Sequence, residues 1–311
     1  MQAINSNSQG LFFLRNTIKL IFLCKVLKYS IKGWVMRLIK LYDFNGIKGY
    51  KLGWSVFGPP LMTVYCYVIG DVMVDTGQSH LQKEACRIAG DHHIKHIYLT
   101  HHHEDHSGNA AAIKKMVNAG VYGHGITKEK LSARFKILPY QKYAWGKAAP
   151  LEIEVLPQKT QTDLGDMTGI HMPGHSKDHI VYHIKKAGVL FSGDLYLADR
   201  IKFFRADEDI GAQIQSLKNV LTLDFDTLLC SHYPKRENGK KHIEKKLGFL
   251  EDLYGGIIRL WDKGVPERQI FNTLGLKENY MIKYICFGNV SMINAVRSAI
   301  RHYETNKQRI G

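Results

Sequence analysis

Hydrophobic and polar positions along the chain switch between the strand and helix periods. Residues 62–69 are dense in β-branched and aromatic side chains and predict a strand. Gly70-Asp71 turns it into a second strand at 72–75. Residues 81–89 predict a helix, 96–100 a short apolar strand, and the Ala-rich 109–117 another helix. Strands follow at 151–156, 169–172, 180–184 and 188–191, then a helix at 212–221 and a last strand at 226–230. Strands and helices at this spacing predict a layered α/β fold with covered sheets. Beyond about residue 240 the strand pattern stops, and 243–260, 266–274 and 291–303 predict helices. The second of these opens at Pro266, a residue suited to a first helical turn.

Three stretches are thereby expected: an N-terminal basic and apolar extension at 1–35, a main α/β domain at 36–239 and a helical C-terminal region at 240–311. The extension holds five basic residues and no acidic one. Its apolar part, 11–24, is broken by Arg15 and Lys19, and residues 1–10 carry no charged side chain, which does not fit a secretory signal. Met36 is an alternative natural start.

Composition adds limits. The chain of 311 residues is 45% hydrophobic and 23% charged, as ordinary globular proteins are. No apolar run reaches the roughly 18 residues of a transmembrane helix. Five scattered cysteines without a Cys-x-x-Cys pair argue against a disulfide framework and for a reducing, cytoplasmic setting. Lys+Arg exceed Asp+Glu by 43 to 28, a net charge of +15, which favours anionic partners.

The sixteen histidines carry the chemical argument. The strand at 96–100 runs into His101-His102-His103-Glu104-Asp105-His106, which contains the spacing His-x-His-x-Asp-His. Imidazole and carboxylate together suit first-row divalent metals, and α/β folds place sites at strand ends. His175, Asp194 and His232 each follow a predicted strand in the same way. No Gly-x-Ser-x-Gly elbow and no phosphate-binding Gly-x-x-x-x-Gly-Lys-Ser/Thr loop occurs, so metal-activated water is the visible nucleophile.

His101-x-His103-x-Asp105-His106, followed by His175, Asp194 and His232 in that order, resembles the metallo-β-lactamase-fold hydrolase superfamily, in its glyoxalase-II-like branch. The turn Val74-Asp75-Thr76-Gly77 matches a further family feature, and the resemblance covers roughly residues 36–235. It implies a four-layer αββα sandwich with metals at one edge of the sheets. It also implies two divalent ions, zinc first and iron or manganese next. His101, His103 and His175 would hold the first, Asp105, His106 and His232 the second, and Asp194 would bridge them. Asp105 would orient the attacking water, and Asp75 would brace the histidine loop. Two segments depart from glyoxalase II: 195–200 reads Leu-Tyr-Leu-Ala-Asp-Arg, and His232 is followed by Tyr-Pro-Lys.

Other residues read more plainly. His92, His93 and His96 are expected at the surface, His179 and His183 as structural histidines on one strand face, and His102 and Glu104 pointing away from the metals. Tyr196 and Arg200, with Lys202 and Arg205 nearby, form a candidate substrate rim for a carboxylate or phosphate. Tyr140 to Tyr143 with Lys142 and Lys147 is expected in a loop. The favoured function is hydrolysis of an ester, thioester or lactone in a small, anionic substrate. The alternative is a metal-dependent endoribonuclease, which the basic charge permits.

Overall fold

A computed structural model describes residues 36–133 and 135–310; the extension expected at 1–35 lies outside them. The chain opens with an antiparallel hairpin, β1 (Met36–Phe44) and β2 (Ile47–Ser55). The strand reading above begins only at residue 62, although a signal was present. Asn45-Gly46 takes positive φ at both positions (54° and 91°), the turn that matches strand twist.

β3 (Thr63–Ile69) and β4 (Val72–Val74) lead to helix α1 (Gln82–Asp91) and β5 (His96–Tyr98). Then come the single turn α2 (Glu104–Ser107), α3 (Ala110–Val117), β6 (Gly120–Gly123), α4 (Gly125–Ser132) and α5 (Pro139–Ala144). β7 (Glu154–Val155), β8 (Thr160–Thr162), β9 (Gly165–His171), β10 (Ile180–Ile184) and β11 (Val189–Gly193) follow. The chain continues through α6 (Ile210–Leu221), β12 (Thr227–Cys230), α7 (Gly239–Trp261), α8 (Glu267–Thr273), α9 (Tyr280–Ile285) and α10 (Ile293–Ile310).

The strands form a seven-stranded sheet in the order β1-β2-β3-β4-β5-β6-β7 and a five-stranded sheet in the order β12-β11-β10-β9-β8. β3 shows why they stack. Tyr65, Tyr67 and Ile69 face inward against Tyr182, Phe191 and Leu229 of the second sheet. Val64, Cys66 and Val68 face outward against Leu81, Ala85 and Ile88 at α1. Both faces are covered, so the strand is a continuous apolar run. The outer face of the second sheet, through Val181, Leu190 and Leu228, packs on α6, α7, α8 and α10. The result is the expected helix–sheet–sheet–helix sandwich, and the C-terminal helices share the outer core.

Several local expectations change. The strand expected at 151–156 pairs only at Glu154–Val155, and the one at 169–172 already begins at Gly165. The Tyr140 to Tyr143 stretch is helical, because Pro139 sits at its first turn and Gln141 caps the Leu138 N–H. β10 starts at Ile180, so His179 lies before the strand and not on a shared face with His183. Among the described residues no helix is long and apolar enough to cross a membrane.

Candidate metal centre

The site lies where strands of both sheets end. Below it, two tyrosines of the sandwich core donate to backbone carbonyls. Tyr67 bonds the Cys230 carbonyl at 2.5 Å and Tyr182 the Leu99 carbonyl at 2.7 Å. An unpaired buried hydroxyl costs about 1–3 kcal/mol, so these bonds fix the two strand ends to the core.

After β4, Asp75 adopts φ 56°, an uncommon left-handed conformation for a non-glycine residue. Three hydrogen bonds hold it there. Its carboxylate accepts from the Thr100 N–H, the Thr100 hydroxyl and His106 Nδ1, each at 2.8 Å. With Nδ1 held by Asp75, His106 turns Nε2 to the site. Asn109 Nδ2 bonds the carbonyls of Thr76, Gly77 and Gln78 and laces this turn to α3. Gly108 passes so close that a Cβ there would collide with the Glu104 carbonyl oxygen and lie 2.7 Å from that of Gly77. Only glycine fits.

All seven residues singled out from the sequence converge, in two groups whose donor atoms lie within 4.8 Å of one another. In the first, His103 Nδ1 lies 2.8 Å from His101 Nε2 and 3.1 Å from His175 Nε2. In the second, Asp105, His106, Asp194 and His232 meet. His106 Nε2 is 3.5 Å from both carboxylates, and His232 Nε2 is 3.5 Å from Asp194 and 3.7 Å from Asp105. Asp194 touches both groups: Oδ2 lies 3.4 Å from His175 Nε2 while Oδ1 faces His106 and His232.

The electrostatics of the groups differ. Burial, and then neighbouring charged groups, hold His101 and His103 well below the usual imidazole range, so both present neutral lone pairs. Burial also lowers His106, but the carboxylates of Asp105, Asp75 and Asp194 outweigh it and raise this imidazole well above its usual range. Burial would raise Asp194, yet His106 and His232 hold it well below the carboxylate range. His106 Nε2 and Asp194 Oδ1 are buried without a hydrogen-bond partner. Imidazole and carboxylate donors, inward-facing and unsatisfied, fit divalent first-row ions.

Two further residues support the centre: Glu208, which carried no sequence signal, and His179, expected as a structural histidine. Glu208 Oε1 lies 3.3 Å from His175 Nδ1, while Gln213 Nε2 holds its other oxygen at 2.7 Å. His179 Nε2 accepts the Asp194 N–H at 3.0 Å. Neither belongs to a local motif, since each reaches its partner across a loop. His183 bonds the Asp224 carbonyl, and His102 turns to Asp178. Glu104 bonds Gln141, and burial pushes its carboxyl up to about 7. His93 is exposed, whereas His92 is half-buried and bonded to the Tyr50 hydroxyl.

Two cavities bear on the substrate expectations. One of about 900 Å³ is lined by Tyr196, Arg200 and Tyr233 but by none of the seven residues. Tyr196 is buried there and donates to Asp199. The other, of about 510 Å³, has His103 in its wall.

A four-layer sandwich carrying paired His/Asp groups at one sheet edge defines a class of metal-site α/β proteins, and the comparisons make it specific. A family model described as the metallo-beta-lactamase superfamily matches residues 59–232. The chain belongs to the metallo-beta-lactamase superfamily, a superfamily of metallo-hydrolases. Among curated relatives, a hydroxyacylglutathione hydrolase of Cereibacter sphaeroides is 30% identical over 141 residues, 44% of this chain and 48% of that protein. One from Shewanella baltica is 29% identical over 199 residues, 62% and 63% of the respective chains. The chain thus spans about half the length of the first of these relatives. A metallo-beta-lactamase family protein from Thermus thermophilus shares the fold with TM-score 0.59 at 17% identity, covering 85% of this chain and 94% of that one.

Proposed function

We propose that the protein is a metal-dependent hydrolase that cleaves a thioester, or a related ester or lactone, with two divalent ions, zinc foremost. The observation that carries this is the Asp194 carboxylate, one oxygen toward each donor group. The names of the curated relatives favour an S-acyl bond among these substrates. The departures at 195–200 and after His232 favour a leaving group other than glutathione.

His101, His103 and His175 would hold one ion, Asp105, His106 and His232 the other, with Asp194 between them. Bound there, the ions would polarise the substrate carbonyl and lower the pKa of a water toward about 7. The remaining work falls to the chain. Asp105 orients that water and takes its proton at a carboxylate oxygen. Asp75 and Glu208 hold His106 and His175 by Nδ1 and keep their Nε2 atoms on the centre. The four described cysteines are free, which supports a reducing, cytoplasmic setting.

The test is turnover by purified protein of matched thioesters, esters, lactones and single-stranded RNA, with metal content measured in parallel. Thioester turnover with about two ions per chain is expected, and Asp105→Asn lowers kcat about 10²- to 10⁴-fold. KM for the best small substrate should change only severalfold between about 50 and 200 mM salt, because few charges are contacted. RNA held through some six phosphates would weaken by about two to three orders of magnitude over that range. RNA cleavage with that steep dependence, lost in Asp105→Asn and without ester turnover, would sink the proposal.

A further inference from the structure

The cavity beside His103 is bounded by α4, α5 and the 205–207 segment. Its wall carries three cations, Lys130, Lys136 and Arg205, and two acids, Glu104 and Asp207. Both acids are engaged. Asp207 takes Arg205 through two bonds of 3.0 Å, and Glu104 accepts from Gln141. Among the described residues Lys130 and Lys136 pair with no carboxylate. Lys130 is nevertheless held in place. Buried Asp178 accepts from His102 Nδ1 at 2.9 Å and from the Thr127 hydroxyl at 2.8 Å. That bond sets the His102 tautomer, so Nε2 is an acceptor, and it takes the Lys130 ammonium at 3.0 Å. One of three ammonium protons is used there; the others remain available beside the cavity. His103, which joins cavity and centre, leaves its own Nε2 without a partner.

A half-buried lysine oriented by a neutral acceptor, next to a reaction centre, is an arrangement for an oxyanion. We propose that this cavity is the subsite for the substrate's non-reacting anionic end, a carboxylate or phosphate, with Lys130 its principal ligand and Lys136 beside it. Asp178 and His102 act as positioning residues for Lys130. The link to turnover rests on the hydrolase reading of the centre, whereas the binding of an anion does not.

Two measurements test this. The first is binding of succinate and of inorganic phosphate to the purified protein, followed by calorimetry, with succinamide as the uncharged control. Lys130→Gln should weaken both anions about 10- to 100-fold and Lys130→Arg should restore most of the loss. His101→Ala should leave anion binding in place. Binding lost in His101→Ala and unchanged in Lys130→Gln would put the anion on the metal centre and overturn the proposal. The second compares two thioesters with the same acyl group whose leaving arms end in a carboxylate or its amide. The kcat/KM ratio, charged over uncharged, should fall about 10- to 100-fold in Lys130→Gln, through KM. An unchanged ratio would overturn the assignment. If neither thioester reacts but the anions bind through Lys130, the proposed function fails and the subsite stands.

Discussion

Asp194 is the side chain on which both donor groups depend, since its oxygens reach His175 on one side and His106 and His232 on the other. Asp194→Ala should therefore lower metal content from about two ions per chain to below about one, whereas His106→Ala should cost about one. Elemental analysis of the purified variants reads this directly, and an Asp194→Ala protein that keeps both ions would contradict the bridging role. A second residue acts from beneath. Lys246 on α7 is buried and donates to the Leu195 carbonyl at 2.6 Å, next to Asp194 in the chain. Burial pulls its ammonium down to about 8 from 10.5. Between those values the unfolded chain holds the extra proton, so this residue makes stability rise with pH across that window. Lys246→Met removes the dependence. Denaturation midpoints at about pH 7.5 and 9.5 should show the native protein gaining about 2 kcal/mol on the variant over that interval.

At the scale of elements, the site rests on a turn with no spare room. A Cβ at Gly108 would push Glu104 and Gly77 apart, and these lie on the two segments that set Asp105, His106 and Asp75. Gly108→Ala should cost at least about 2 kcal/mol and also reduce metal content, measurable by thermal melting and elemental analysis. Legibility in the sequence follows from the range of the interactions. His101, His103, Asp105 and His106 fall within one short segment running from β5 into α2, so local spacing exposes them. Strands buried on both faces, such as β3, show as apolar runs. Glu208 reaches the centre from a distant loop, and nothing in its neighbours announces it, whereas His179 shares the β9–β10 connection with His175. β1 has a half-exposed, irregular pattern, because its outward face meets little of the core; its Asn45-Gly46 turn was the stronger cue. The α5 stretch resembles a loop in composition, and Pro139 and Gln141 cap it as a helix.

At the scale of the whole molecule, the centre joins the sheets. His101 to His106 follow β5 of the first sheet; Asp194 and His232 follow β11 and β12 of the second. Ions held there would connect layers that otherwise meet through the apolar interior. Chelation should lower the melting temperature by at least about 5 °C, since each ligand at 1,000 times its Kd adds roughly 4 kcal/mol. Readdition of zinc should reverse the shift; an unchanged melting temperature would mean that the ions add nothing to folding.

The placement of the cavity's cations away from the strand ends has an evolutionary consequence. Lys130, Lys136 and Arg205 sit on α4, on a connecting segment and on a loop, outside the interior held by Tyr67 and Tyr182. Substitutions there are expected to leave the seven donor residues and their scaffold in place. If the cavity holds the leaving group as proposed, lineages descended from one such ancestor would be able to exchange leaving groups without passing through an unfolded or metal-free intermediate. Their chemistry stays old while their diet changes.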